Sequence, residues 1–275
     1  MTPSPVRTGV GGEAHCEVWW SAPSGDPALL HLLDETELHR AVRLAHRKDR
    51  DRYVTAHALA RLLLGELTGE DPARLRFDRT CRRCGDPEHG KPQLVGRATP
   101  FSLAHSGDRV VVAVVDSPAA GLDGAGLESG VDVPVDVGVD VERVSAQGEL
   151  PATLSREVLA TAELTAYDRL DEHERARAIA VWWTRKESVL KATGDGLAVP
   201  PALVEVTPPW CPPALVGALP AAGHLRRRAW SSVPPAIALH ELDAGTDHVG
   251  CVAVLGVQTV RVSEREAPTL LHGAM

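Results

Sequence analysis

Apolar and polar positions alternate cleanly over Gly138-Val139-Asp140-Val141-Glu142, where two valines interleave with two acids. A period of two is that of a β-strand, and it sets both carboxylates on one face. Farther along, Trp183-Thr184-Arg185-Lys186-Glu187-Ser188-Val189-Leu190-Lys191 takes up a helical period. Trp183, Glu187 and Lys191 then share one stripe at i, i+4 and i+8, with Lys186 on the flank.

The same patterning predicts the other elements. A first strand covers 17–21, entered through Val18, Trp19 and Trp20. A helix over 34–44 starts at Asp34, with Glu37 at capping-box spacing, and an apolar helix over 53–67 ends at Gly69. Residues 101–115 read as a hairpin turning at Ser106-Gly107-Asp108. Helices follow over 154–169 and 174–193, the second closed by Gly194, then short strands over 203–206, 236–242 and 248–255 between proline-rich turns. Strand, helix, helix and strand hairpin thus occur twice, over 17–115 and 138–255. The expected organisation is a tail (1–16), a first lobe (17–116), an inserted junction loop (117–137), a second lobe (138–257) and a closing tail (258–275). The fold class is α/β in the broad sense, α+β in detail. No residue-level repeat links the halves.

Composition narrows the class. The 275 residues are 44% hydrophobic, ordinary for a globular chain, and carry a net charge of −8, which argues against a general nucleic-acid surface. The first seventeen residues have glycine, proline and polar groups where a secretory signal needs an apolar run. No stretch approaches the ~20 apolar residues of a membrane span. Five cysteines, an odd count, fit a reduced compartment, so a cytoplasmic enzyme is the expectation.

Chemistry concentrates in four places. Adjacent Asp140 and Glu142 repel unless a cation lies between them, and hard oxygen ligands suit Mg²⁺; Glu187 would be a third carboxylate. Asp136 shares the alternating face and is an alternative ligand. Arg40, Arg43, Arg47, Lys48, Arg50 and Arg52 fall within thirteen residues of an acidic chain, which favours an anion site over a merely solvated face. Cys81-Arg82-Arg83-Cys84 with His89 suggests zinc, but structural zinc takes four ligands, and His15, Cys16 or His31 reach the site only by folding back. Paired thiols in a surface loop are the simpler expectation. Gly85 to Lys91 nearly spells a phosphate-binding loop, yet Pro92 follows instead of a hydroxyl residue, so that motif fails.

In combination these segments resemble the paired signature of the 4′-phosphopantetheinyl transferases, specifically the longer, surfactin-synthetase-activating type. The resemblance rests on Gly138 to Glu142, on Trp183 to Lys191, on Gly90-Lys91-Pro92 and on Phe101-Ser102-Leu103-Ala104-His105-Ser106-Gly107, in that family's order. It implies two similar lobes related by a pseudo-twofold, with coenzyme A in the cleft between them. It further implies a monomer that moves the 4′-phosphopantetheine arm onto a serine of apo acyl- or peptidyl-carrier proteins and releases adenosine 3′,5′-bisphosphate. In this reading Asp140, Glu142 and Glu187 hold Mg²⁺. Arg40 and Arg52 grip the 3′-phosphate, with Arg43 and Arg47 one helical turn away as alternatives. Gly90, Lys91, Pro92, Ser102, Ala104, His105, Asp140, Lys186 and Lys191 contact coenzyme A, and Glu187, Lys191 and His105 are catalytic. Ser102 stands where Asn or Thr is usual, Ala104 where a serine is usual, and the segment 117–137 has no usual counterpart.

Two other classes use the same residues. A different Mg²⁺-dependent phosphoryl-transfer enzyme or phosphodiesterase would turn over nucleotides without a carrier protein. A non-catalytic domain built on Cys81, Cys84 and His89 would bind zinc and be indifferent to Asp140→Ala.

Overall fold

The computed structural model describes residues 12–81, 84–116, 135–144, 152–217, 219 and 236–267. Residues 1–11 of the expected tail (1–16) and 117–134 of the expected junction loop (117–137) lie outside the described residues.

Alternating valines build the first sheet. In β5 (Arg109–Asp116) Val110, Val112 and Val114 enter one core and Val111, Ala113 and Val115 another, as expected of a strand covered on both faces. β5 pairs antiparallel with β4 (Phe101–Ser106) and with β1 (Glu13–Ser21). Before this hairpin come α1 (Glu35–Arg43), α2 (Arg47–Thr68) and the short pair β2 (Phe77–Asp78) and β3 (Gln93–Leu94). Asp34 caps α1 with the reciprocal Glu37 bond.

The second half repeats the plan. β6 (Asp136–Arg143) is followed by α3 (Ala152–Val158), α4 (Thr161–Tyr167), α5 (Glu172–Thr193) and the hairpin β7 (Ile237–Leu242) and β8 (His248–Leu255). The strand order β6-β8-β7 matches β1-β5-β4 position for position. Helices α2 and α5 are both 22 residues long, and each stops at a glycine in the left-handed region, Gly69 (φ 73°) and Gly194 (φ 76°). One topology is therefore used twice along the chain.

The sheets face each other across a core built from β1, β5, β6 and β8, including Cys16, Val18, Val111, Val139, Val141 and Val252. α2 covers the outer face of the first sheet and α5 that of the second. The layers run helix, sheet, sheet, helix, and the polar face of β6 is pressed against α5. No helix among the described residues is long and apolar enough to cross a membrane.

Four expectations need correction. The segment assigned to a closing tail contains β9 (Thr259–Glu266), which pairs in parallel with β1 from Glu13↔Thr259 to Trp20↔Glu266. The same pairing starts β1 at Glu13, four residues before the expected start, because its first residues are held from the far end of the chain. The strand expected over 203–206 is replaced by a 3-10 turn, Pro201–Leu203, and a single bridge from Val206 to Leu215. Pro200 and Pro201 lack the amide hydrogens a ladder needs. The single helix expected over 154–169 is two, α3 and α4, with Glu163 closing on the Ala160 amide at the break.

Candidate active site

The acidic face of β6 meets α5 at unusually short range because Gly138 has no side chain. A Cβ there would overlap the Ser188 carbonyl and the Ala192 amide and come within 2.8 Å of the Lys191 Cβ. With the backbones so close, Asp140, Glu142 and Glu187 fall into one charged group. Asp140 is buried, and its Oδ1 accepts from Lys191 Nζ at 2.7 Å. Glu142 Oε2 accepts from the Ser106 hydroxyl at 2.7 Å, and Trp183 also bonds its carboxylate. Glu187 is buried one helical turn before Lys191.

These acids lack sufficient cationic company. Burial, then the Asp140 charge, raise the Glu187 carboxyl to about 7, Lys191 opposing and Glu142 reinforcing. Burial raises Asp140 against the pull of Lys191, and burial together with Asp140 raises Glu142. Asp140 Oδ2 and Glu187 Oε1 are buried without a hydrogen-bond partner. A buried carboxylate oxygen left unsatisfied is costly. Hard carboxylate oxygens are the kind of ligand that suits Mg²⁺, which would offset the charge of these acids.

Lys191 links the acids to a cleft of about 880 Å³ that is also lined by Arg40, Gly90, Lys91, Pro92, Ser102 and Asp136. The size is that of a small-molecule site. Lys91 Nζ is paired with Asp136 Oδ1 and donates to the Val137 carbonyl at 2.6 Å. Gly90 has the tightest surroundings here: its amide donates to Arg79 O at 2.6 Å, and a Cβ would lie 2.6 Å from Thr80 O. Arg52 donates to Gly107 O at 2.8 Å and pairs with Asp49; Arg40 donates to the Glu88 carbonyl. His105 stands between cations. Burial first, then Arg52 and Lys191, push its imidazole down to about 4, so near neutral pH it is uncharged until an anion arrives.

Residues 136–239 match the family model of the 4′-phosphopantetheinyl transferase superfamily. The stretch begins at the first residue of β6 and contains all three acids and Lys191. Over that stretch the chain is similar to the 4′-phosphopantetheinyl transferases. It is 26% identical over 226 residues to the 4′-phosphopantetheinyl transferase HetI of a Nostoc species, covering 75% of this chain and 84% of that protein. It is 28% identical over 185 residues to a putative 4′-phosphopantetheinyl transferase of a Synechocystis species, 65% of each chain. Among solved structures, a holo-(acyl-carrier-protein) synthase from Bacillus anthracis in complex with coenzyme A aligns with TM-score 0.33 and 18% identity, over 44% of this chain and 95% of that one.

Of the expected residues, Arg40, Gly90, Lys91, Pro92, Ser102 and Lys191 line the cleft. Lys186 is fully buried on the other side of α5, its Nζ 2.5 Å from Glu163 Oε2 and 2.6 Å from the Val204 carbonyl. It ties α5 to α4 and to the turn after it, so the expected contact with coenzyme A is replaced by a structural one. Ala104 turns its methyl into the core between the sheets. Ser102 accepts from the Val139 amide at 3.1 Å, and Ser106 accepts from the Arg143 amide at 3.1 Å while donating to Glu142. These two hydroxyls, spaced by the strand period, fasten β4 to the free edge of β6. The spacing of Ser106 from Ser102 is the sequence signal for this role. Arg47 pairs with Asp51 at an exposed position, and Arg43 is exposed as well, whereas Arg40 lines the cleft. Asp136 shares the face of Asp140 as expected but faces Lys91. His15 and Cys16 are engaged in β1, His15 with Ser263, so neither completes a site with Cys81 and Cys84.

Proposed function

We propose that this protein transfers the 4′-phosphopantetheine arm of coenzyme A to a serine hydroxyl of an apo carrier protein. The observation that carries the reading is the buried acid group of β6 and α5, with two unpartnered oxygens, joined through Lys191 to a cleft lined by Arg40 and Lys91. Acids for a cation beside cations for phosphates is the inventory of phosphoryl chemistry, in which positioning and charge neutralisation carry most of the catalysis.

In this reading Asp140, Glu142 and Glu187 hold Mg²⁺, which when bound neutralises charge on the diphosphate. Arg40 and Arg52 bind the 3′-phosphate of coenzyme A. Lys91 exchanges Asp136 for a phosphate oxygen, and His105 donates to the diphosphate. The carrier serine oxygen bonds to the phosphorus on the pantetheine side while the bond from that phosphorus to the bridging oxygen breaks. Glu187 takes the serine proton. Lys191 stabilises charge on the departing adenosine 3′,5′-bisphosphate. Ser102 and Ser106 act through β6, holding Asp140 and Glu142 in position.

The test is incubation with coenzyme A, Mg²⁺ and a panel of apo acyl- and peptidyl-carrier proteins, followed by intact-protein mass spectrometry. A mass gain of one phosphopantetheine on a carrier, lost when its acceptor serine is replaced by alanine, is expected. Nucleotide breakdown with no carrier modified would move the assignment to another phosphoryl-transfer enzyme or phosphodiesterase.

A further inference from the structure

The loop between β2 and β3 brings a second, softer set of ligands to the wall of the same cleft. Cys81, Cys84 and His89 each bring one ligand atom to within 4.8 Å of the other two. Cys84 Sγ lies 3.3 Å from His89 Nδ1, and neither cysteine is in a disulfide. The backbone explains the convergence. The Gly85 amide donates to Cys81 O at 2.8 Å and the Cys81 amide to Asp86 O at 2.7 Å, while Gly85 sits at φ 76°, a conformation that favours glycine. These two bonds hold Cys81 close to the backbone at Gly85 and Asp86, next to Cys84. Gly90, bonded to Arg79 O, then closes the loop just after His89.

We propose that Cys81, Cys84 and His89 bind one Zn²⁺ ion, with a water in the fourth position. Two sulfurs at this spacing and an imidazole are a donor set that selects zinc over the hard cations suited to Asp140 and Glu142. Both cysteines bind as thiolates, their protons pass to solvent, and the two negative charges balance the dication. Because Gly90 and Lys91 follow His89 directly, the ion clamps the loop that brings Lys91 to the cleft. This consequence, unlike zinc binding itself, rests on the phosphate-binding role proposed for Lys91.

The full chain is purified from zinc-supplemented cells, desalted and analysed for metal by mass spectrometry; metal-free protein is titrated with Co²⁺ in parallel. The expected result is about one zinc per chain and thiolate-to-cobalt charge-transfer absorption, with Cys84→Ser and His89→Ala each lowering retained zinc by about tenfold or more. Wild-type protein with no retained zinc and no charge-transfer band overturns the proposal, whether or not the variants fold. Zinc retained equally by both variants also overturns it. Neither measurement uses coenzyme A or a carrier, so failure here leaves the transferase reading intact, and a zinc-loaded protein inert toward every carrier would fail that reading alone. The clamp is read separately, as a higher KM for coenzyme A in Cys84→Ser.

Discussion

At the scale of single residues, Glu187 and Lys186 are neighbours in sequence with opposite destinies. Glu187 faces the other two acids and Lys186 faces Glu163. Glu187→Gln keeps the shape but removes the base, so transfer should fall by about 10²-fold or more. Coenzyme A binding, followed by calorimetry, should stay within a few-fold of wild type; full activity would remove Glu187 from the mechanism. Lys186→Ala tests the structural assignment, because it leaves the buried Glu163 carboxylate without its ion-pair partner. It should cost about 3 to 5 kcal/mol in denaturant unfolding; unchanged stability with weakened coenzyme A binding would return Lys186 to the cleft. A three-residue stripe at helical spacing defines a face by itself, so the side of α5 that carries Glu187 was legible in the sequence. The sequence could not place Lys186, which lies beside that stripe and whose partner, Glu163, comes from another helix.

At the scale of elements, the contact between β6 and α5 assembles the acids, and it depends on Gly138. Gly138→Ala forces a methyl into two backbone atoms that cannot swing aside. The expected cost is about 3 kcal/mol or more, measured by chemical denaturation, with divalent-ion binding lost in whatever remains folded; a variant as stable as wild type would mean that β6 and α5 do not approach this closely. The strands, the two long helices and their glycine stops were legible in the sequence because their signals are local: alternation, a capping box, a terminal glycine. What escaped was set by distant partners. Thr259–Glu266 alternates valine with polar and charged residues, a pattern that suits an edge strand as well as a solvated tail, and only pairing with β1 decides between them.

At the scale of the molecule, two copies of one topology meet sheet to sheet, the chain's last strand returning to the first sheet, and each half carries its own buried charge. In the first half Glu37 binds His57, Arg61 and Arg79 in the interior beside α1. Burial would raise its carboxyl, but hydrogen bonds and charges from His57 and Arg61 overrule burial and hold it at about 2. A carboxyl lowered on folding stabilises fully above its unfolded value near 4.5, and that contribution is lost as pH falls toward 2. Thermal unfolding temperature should therefore drop steeply over that range, and Glu37→Gln should flatten the drop; an unchanged profile would contradict the network. In the second half the sign reverses. Glu187, raised to about 7, makes the metal-free fold less stable as pH climbs from about 4.5 toward 7, and a bound divalent ion should remove that loss. One half is satisfied by its own cations and the other is not, which is why the site is assigned to the second.

The most direct test of that assignment is a titration of the metal-free protein with Mn²⁺, used as a spectroscopic stand-in for Mg²⁺, with free ion counted by electron paramagnetic resonance. The account predicts about one site per chain, weakened by about tenfold or more in Asp140→Ala and in Glu187→Gln and unaffected by Cys84→Ser. Equal Mn²⁺ affinity in wild type and Asp140→Ala would contradict it.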